Sequence, residues 1–206
     1  MFDLDADPLL IGRSFASNAV LGPLWAQFPG LRLACGWDSF EMSVTTILGQ
    51  LVSTGQGRAL VKQLVESCGQ RIAHPVTDEP AYLFPTAEVL ATADLAAVRT
   101  SPARKNAIKE LSGLVAAGGI NLDGTQEVGE VKERLLALPG IGSWTSEYIG
   151  LRALGDSDSF PKTDLVLKRA VGRHPGLDLE SVRPWRGYAA ACLWAHWSES
   201  TSKKGS

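Results

Sequence analysis

Residues 135–152 read LLALPGIGSWTSEYIGLR: an apolar helical run, a Pro-Gly-Ile-Gly turn and, directly after it, a second helical run. Gly140 and Gly142 lack a Cβ, so the backbone of this turn can approach a bulky partner closely. The N–H groups of the turn lie at the start of the second helix, where the helix dipole favours an anion. The stretch therefore predicts a helical hairpin whose turn binds a phosphate, and an interhelical turn without a ligand is the alternative.

Helical periodicity extends outward from this hairpin over most of the chain. Ser101 and Pro102 predict the cap and first turn of one helix, whereas the proline-containing residues 70–85 predict a long irregular connection. No strand is predicted. A helix over 37–51 is capped by Asp38 and has one apolar face, formed by Phe40, Val44, Ile47, Leu48 and Leu51. Further helices are predicted over about 54–67, from 86, and over 125–137, 143–154, 164–171 and 185–197.

Length and composition fit a globular chain. The 206 residues suit one large domain or two small lobes. The net charge of −2 argues mildly against a nucleic-acid partner, although binding through backbone amides needs few basic side chains. No apolar run is long enough to span a bilayer. The three cysteines form no CxxC pair and the three histidines are scattered, so neither a disulfide framework nor a zinc site is predicted, and a reducing cytosol is expected.

The hairpin and the residues after it resemble a known family. They contain LPGIGSWTSEYIGLRAL and FPKTDLVLKRA, which resemble the hairpin, Gly/Pro-rich loop and aspartate of the helix-hairpin-helix DNA glycosylase superfamily. Other segments that resemble this family are FDLDADP, FPGLRLACGWDSFEMSVTTILGQLVS and RPWRGYAAACLWAHW, so the resemblance covers residues 2–197. Within the superfamily, the segments resemble 3-methyladenine DNA glycosylase II in particular.

The resemblance implies an all-α, two-lobed helical bundle. Residues 1–197 are expected to form the glycosylase domain, with the active-site cleft between its two helical lobes, and residues 198–206 a disordered tail. The N-terminal mixed α/β domain of the bacterial enzyme is expected to be absent, because the chain begins at the junction that follows it.

The resemblance also implies an activity. It is a monofunctional hydrolase of base-excision repair that flips alkylated purines out of double-stranded DNA, cuts their N-glycosidic bond and leaves an abasic site. The protein is expected to act as a monomer in the cytoplasm, at the bacterial nucleoid. The alternatives are a glycosylase for oxidised, mismatched or deaminated bases, a non-catalytic DNA-binding hairpin module, and a helical bundle with an accidental hairpin.

Asp164 is the predicted catalytic residue. It lies 22 residues after Gly142, where the family has its catalytic aspartate, and a carboxylate there would stabilise the positive charge that develops on the sugar. Without the resemblance, Asp164 reads as a helix N-cap, a role compatible with catalysis. Leu165 follows it where the bacterial enzyme has an aromatic residue, so one pocket wall is expected to differ.

The reaction is predicted to use water as its nucleophile. Members that also nick the backbone carry a lysine just after the glycine turn, and this chain has Trp144 there, so no Schiff base can form. No iron–sulfur cluster is expected either. Relatives that hold one use four C-terminal cysteines, and only Cys192 lies in that region.

The resemblance assigns further residues to base flipping and base binding. Leu51 is expected to wedge into the base stack, and Gln50 to face a base edge or the sugar, although helical spacing alone places Leu51 in the core. Trp144, Tyr148 and Trp185 are expected to line a pocket whose aromatic faces attract cationic alkylated purines. The remaining tryptophans are assigned to packing: Trp25, Trp37, Trp194 and Trp197.

The hairpin itself is expected to grip the DNA strand. Its predicted DNA-binding residues are Gly140, Ile141, Gly142, Ser143 and Thr145. The resemblance further implies a Na⁺ or K⁺ ion that bridges to a DNA phosphate and is held by the backbone carbonyls of Leu136, Leu138 and Ile141. Bound DNA is one condition under which this site is expected to fill.

Overall fold

A computed structural model describes residues 2–73 and 80–202, with backbone only for the last of these. This part of the chain contains ten α-helices and two short strands, which confirms the all-α prediction. The helices are α1 (Pro8–Ala16), α2 (Leu21–Gln27), α3 (Ser39–Leu48), α4 (Thr54–Cys68), α5 (Ala87–Thr92), α6 (Pro102–Ala116), α7 (Val128–Leu136), α8 (Ser143–Arg152), α9 (Leu165–Arg173) and α10 (Arg186–Ser202). None of the described helices is long and apolar enough to cross a membrane.

The structure differs from the predicted secondary structure at several places. The connection predicted as irregular contains strands β1 (Arg71–Ala73) and β2 (Pro80–Tyr82), which pair antiparallel. Residues 74–79, which include His74, lie outside the described part of the chain. Helices α1 and α2 were not predicted, although Asp7 and Pro8 mark the start of α1; α2 has no side-chain cap to mark its start. Helix α10 continues to Ser202, so a disordered tail does not begin at 198, and residues 203–206 are not described.

The chain divides into two compact units. Unit 1 consists of Met1–Trp37 and Ser146–Ser206, and unit 2 consists of Asp38–Thr145. The boundary falls within α8, the second helix of the hairpin. Unit 1 therefore contains α1, α2, α9, α10 and most of α8, and unit 2 contains α3 to α7, both strands and the glycine turn.

The core of unit 1 is built around α10, which packs on α2 and α9. Tyr188 of α10 is fully buried, and its ring meets the rings of Trp25 and Trp185 edge-on. The Tyr188 hydroxyl donates a 2.5 Å hydrogen bond to Oδ2 of Asp3. Burial, together with this neighbouring carboxylate, raises the pKa of Tyr188, so the phenol stays protonated as a donor. Trp25 is partly buried and packs its ring against Phe15 and Tyr188, as its assignment to packing predicts.

An ion-pair network fixes the start of α10. Arg186 binds Asp158 with two bonds of 2.9 Å, from Nε to Oδ1 and from Nη2 to Oδ2, and Arg183 binds the same carboxylate at 2.8 Å. Glu180 accepts from both arginines at 3.1 Å. The Asp158 side chain is only 17% exposed. The network thus ties the loop before α9 to the first turn of the helix that organises unit 1.

The core of unit 2 lies among α3, α4, α5 and α6. Helix α3 ends at Leu48 with Gly49 as its C-cap, so the prediction that it continues through Leu51 is wrong. Helix α4 then begins with a capping box in which Ser53 and Gln56 bond reciprocally. The buried apolar residues that α3, α4 and α6 contribute are Val44, Ile47, Leu48, Leu60, Leu64, Ala107, Ile108 and Leu111.

Candidate active site

Asp164 is the N-cap of α9 in unit 1 and is partly exposed. Its Oδ1 accepts hydrogen bonds of 3.0 Å from the backbone N–H groups of both Val166 and Leu167. The indole Nε1 of Trp194 donates to the same oxygen at 3.1 Å. Three donors on one oxygen fix the orientation of the carboxyl group.

The loop that leads to Asp164 is itself anchored to α8. Glu147 of α8 accepts a 2.9 Å hydrogen bond from the backbone N–H of Phe160, and the Phe160 side chain is buried in the core of unit 1. The Asp164 N–H then donates to the carbonyl of Pro161 at 2.8 Å. These contacts hold the backbone at Asp164 in one place before the helix begins.

Trp194 links the aspartate to Tyr148. The two rings lie edge to face, with centroids 6.1 Å apart. The prediction that Trp194 serves only in packing is therefore wrong, and it is the site residue that the sequence reasoning missed. Trp194 and Asp164 are 30 residues apart and on different helices, so no local pattern could reveal the contact. Its segment, RPWRGYAAACLWAHW, carried the family resemblance without showing which tryptophan faces Asp164.

A cation covers both of these rings. The Arg152 guanidinium carbon lies 5.8 Å from the ring centroid of Tyr148 and 5.6 Å from that of Trp194. Its Nη1 donates to the carbonyl of Ala34 at 2.6 Å, and the Arg152 carbonyl accepts from the N–H of Gly36 at 2.8 Å. Arg152 thus fixes the chain near residue 35 to the end of α8 and places a positive charge beside the aromatic pair.

The other predicted aromatic residues are placed differently. Trp185 lies directly before α10, half-buried, with its ring against Tyr188 in the core of unit 1. Trp144 lies one helical turn before Tyr148 on α8 and is also half-buried. Their pocket roles stay predictions. Trp37, which was assigned to packing, is 88% exposed, so that assignment is wrong.

The glycine turn is anchored by its neighbours and leaves its backbone open. The side chains of Leu138 and Ile141 are buried, whereas Gly140 and Gly142 are exposed. Gly140 has φ +88°, a backbone conformation that residues with a side chain rarely adopt, so this position favours glycine. Within the described residues, the N–H groups of both glycines donate to no protein acceptor. They are available to an external anion at the start of α8.

Gln50 contacts this turn in unit 2. Its Nε2 donates to the Gly140 carbonyl at 3.1 Å and to the Thr145 hydroxyl at 2.8 Å, and Thr145 is buried. Leu51, the next residue, is 100% exposed with φ +53°. The structure therefore brings Gln50, Gly140 and Thr145 together, while the predicted contacts of Gln50 and Leu51 with DNA stay predictions.

The predicted cation ligands are chemically suited to a hard monovalent ion, since all three are neutral backbone oxygens. Within the described chain, the carbonyls of Leu136 and Ile141 accept no hydrogen bond outside helical bonding, and the Leu138 carbonyl accepts one, from the Ile141 N–H at 3.1 Å. These neutral oxygens retain lone pairs for Na⁺ or K⁺, and the cation site stays a prediction. Among the described residues, no group of three or more His, Cys, Asp or Glu side chains is placed to hold a metal.

Comparisons with known proteins agree on one family, although no family model matches the chain. The chain is 34% identical over 205 residues to DNA-3-methyladenine glycosylase 2 of Escherichia coli, covering 94% of this chain and 68% of that protein. It is also 34% identical over 202 residues to the probable bifunctional transcriptional activator/DNA repair enzyme AlkA of Mycobacterium tuberculosis, covering 94% of this chain and 40% of that longer protein.

A solved structure shows the same fold. The structure of MBOgg1 in complex with low affinity DNA ligand superposes with a TM-score of 0.80 at 24% identity, covering 97% of this chain and 73% of that one. This likeness, together with the 34% identity over almost the whole chain, confirms the resemblance found in the sequence. The chain belongs to the DNA-3-methyladenine glycosylase 2 family of helix-hairpin-helix glycosylases.

Proposed function

We propose that this protein is a monofunctional DNA glycosylase that releases alkylated purines, of the 3-methyladenine and 7-methylguanine type, from double-stranded DNA. The observation that carries the proposal is the Asp164 carboxyl group, partly exposed and oriented by three N–H donors on one oxygen. A structural N-cap needs only the backbone donors. The additional bond from Trp194, on a different helix, fixes the carboxylate beside an aromatic pair, as a catalytic group requires.

The proposed reaction is hydrolysis at C1′. The C1′–N bond breaks with its electron pair leaving on the base, and positive charge develops on C1′ and the ring oxygen. The Asp164 carboxylate stabilises that charge electrostatically. Water then adds to C1′ and loses a proton, which gives an abasic site. Trp144 offers no amine where a lyase carries lysine, so we expect no covalent adduct to be trapped by borohydride.

The aromatic pair supplies a reason for selecting alkylated bases. A methylated purine carries positive charge, and an aromatic face attracts such a cation by roughly 0.5–2 kcal/mol. Tyr148 and Trp194 provide aromatic surface next to Asp164, although the Arg152 guanidinium already lies over one face of each ring. Alkylation also weakens the glycosidic bond, so a pocket with modest shape selection still prefers damaged bases. We include Trp185 and Trp144 in this proposed pocket, as the sequence predicts.

DNA binding is proposed to centre on the glycine turn. Gly140, Gly142 and the first turn of α8, including Ser143, offer backbone N–H groups to a phosphate. A Na⁺ or K⁺ ion on the carbonyls of Leu136, Leu138 and Ile141 would add positive charge there when bound. The MBOgg1 structure of the same fold contains DNA, which supports this partner.

Leu51 completes the proposed DNA interface. A fully exposed leucine contributes nothing to a core, and it suits insertion into the base stack after the damaged nucleotide is flipped out. A single chain carries all of these parts, so we propose that the protein acts as a monomer on DNA at the nucleoid.

The proposal is tested by base release from methylated DNA. Wild-type protein should release 3-methyladenine and 7-methylguanine, and the duplex should retain alkali-labile abasic sites with no enzymatic nick. Duplexes bearing a single oxidised or deaminated base test the alternative specificity within the same assay. Tight binding to damaged duplexes without release of any base would refute the enzyme and favour a non-catalytic binding module.

A further inference from the structure

The loop between α3 and α4 holds an apolar side chain in an unfavourable position. Leu51 has φ +53°, a left-handed conformation that non-glycine residues rarely adopt, and its side chain is completely exposed. Neither feature is stabilised by Leu51 itself, since the side chain buries no surface. Contacts from neighbouring residues must therefore hold the backbone of this loop in place.

Arg104 provides one of those contacts. It lies in the first turn of α6, and its Nη2 donates a hydrogen bond to the carbonyl of Gln50, the residue directly before Leu51. Its Nη1 donates to the Thr100 hydroxyl at 3.2 Å, which fixes the direction of the guanidinium. A charged donor on a backbone carbonyl makes a stronger bond than a neutral one.

Gln50 connects the same loop to the glycine turn. Its side-chain amide donates to the Gly140 carbonyl and the Thr145 hydroxyl, while its own carbonyl accepts from Arg104. One residue thus joins three segments of unit 2: the loop that presents Leu51, the start of α6 and the turn with open N–H groups. Gly140 also lies close to α6, near Ala103.

We propose that Arg104 is a positioning residue for base flipping. It fixes the position of the Leu51 wedge relative to the phosphate-binding turn. When the turn binds a DNA phosphate, Leu51 is then placed at the base stack that it must fill. This inference rests on the proposed glycosylase function. Arg104 should therefore matter where a base must be flipped out of a duplex, and little where the base is already unstacked.

A competing role for Arg104 is direct contact with a DNA phosphate. A guanidinium has five N–H donors, and the two described bonds leave donors for a phosphate. The two roles differ in how they combine with Leu51. A positioning residue acts through the wedge, so its effect disappears when the wedge is removed, whereas a phosphate contact weakens binding whether or not the wedge is present.

The test compares single-turnover release of 7-methylguanine from one oligonucleotide, as a duplex and as a single strand. Arg104→Met is made alone and together with Leu51→Ala. Lys109→Met is the matched control, because it removes a positive charge from the same helix at a residue outside the proposed interface. A 2-aminopurine placed next to the lesion reports unstacking by its fluorescence, independently of base release.

Arg104→Met is expected to slow release from the duplex about tenfold, the loss of one charge-assisted hydrogen bond, and to change single-strand release less than twofold. It should also lose the fluorescence rise, and Arg104→Lys should recover part of both signals. The double variant should be no slower than Leu51→Ala alone, and Lys109→Met should match the wild type.

An equal loss on duplex and single strand would overturn the inference, because it would indicate a general structural role. Additive losses in the double variant would overturn it in favour of a phosphate contact. If the wild-type protein releases no base from either substrate, the proposed glycosylase function is refuted. The inference about Arg104, which rests on that function, is then refuted as well.

Discussion

Asp158→Asn should destabilise the protein in a way that depends on pH. The Asp158 carboxylate is 17% exposed and holds two arginines by charge-assisted bonds of 2.8–2.9 Å. Removing one partner of a well-buried ion pair costs about 3–5 kcal/mol. Arg183 is 52% exposed and its share is screened by solvent, so we expect about 2–3 kcal/mol. For a protein of this size, that lowers Tm by roughly 5–10 °C.

The sign of the pH dependence follows from the pKa of Asp158. Burial of the carboxyl group raises the pKa, but the hydrogen bonds and charges of Arg186 and Arg183 together outweigh it, so the net shift is downward. A lowered pKa stabilises the folded protein above the unfolded value of about 4, and that stabilisation is lost as pH falls through the folded value. The difference between wild type and variant should therefore be full at neutral pH and shrink below about pH 4.

The assay is urea denaturation of both proteins, followed by circular dichroism between pH 7 and the acid limit of folding. Glu66→Gln is the control, because it removes an exposed i,i+4 pair with Lys62 that is expected to contribute about 0.5 kcal/mol or less. A difference for Asp158→Asn below about 1 kcal/mol at pH 7 would refute the reasoning. So would a difference that stays constant as Asp158 becomes protonated.

Three further predictions concern the site. Trp194→Phe keeps an aromatic ring but removes the indole donor from Asp164. Because that bond is charge-assisted at a partly exposed group, the single-turnover rate of base release should fall roughly 5–30-fold. An unchanged rate would contradict the positioning role. Gly140→Ala should cost about 1–3 kcal/mol in urea denaturation, because φ is +88° there, and should weaken DNA binding in anisotropy titrations; wild-type stability and affinity would contradict this. Arg152→Met should raise the ratio of 7-methylguanine to hypoxanthine release by about 2–30-fold, since a fixed cation beside the aromatic pair opposes a charged base more than a neutral one. A ratio that stays constant would show that the Arg152 charge does not reach the bound base.

Local signals allowed much of the fold to be predicted from the sequence. Asp38, Ser101 and Asp164 were each expected to cap a helix, and in the structure each accepts a hydrogen bond from the first turn. The Pro-Gly-Ile-Gly turn between α7 and α8 was likewise expected. Such signals depend on residues three or four apart, so they can be read from the sequence without knowing the tertiary structure.

Other features were not predictable from local pattern. Leu51 fits the apolar stripe of α3 by spacing, yet Gly49 ends that helix and the left-handed backbone turns Leu51 outward. The choice between Trp185 and Trp194 depends on which of two tryptophans, nine residues apart, reaches Asp164. Strands β1 and β2 have three residues each, which is too short for an alternating pattern.

Single-turnover release of 7-methylguanine by Asp164→Asn tests the catalytic carboxylate most directly. Asparagine keeps an oxygen that accepts from the Val166 and Leu167 N–H groups and from Trp194, so stability and DNA affinity should remain near those of the wild type. The release rate should fall roughly 10²–10³-fold, because the negative charge beside the sugar is gone. A folded variant that binds DNA and releases the base at nearly the wild-type rate would contradict a catalytic Asp164.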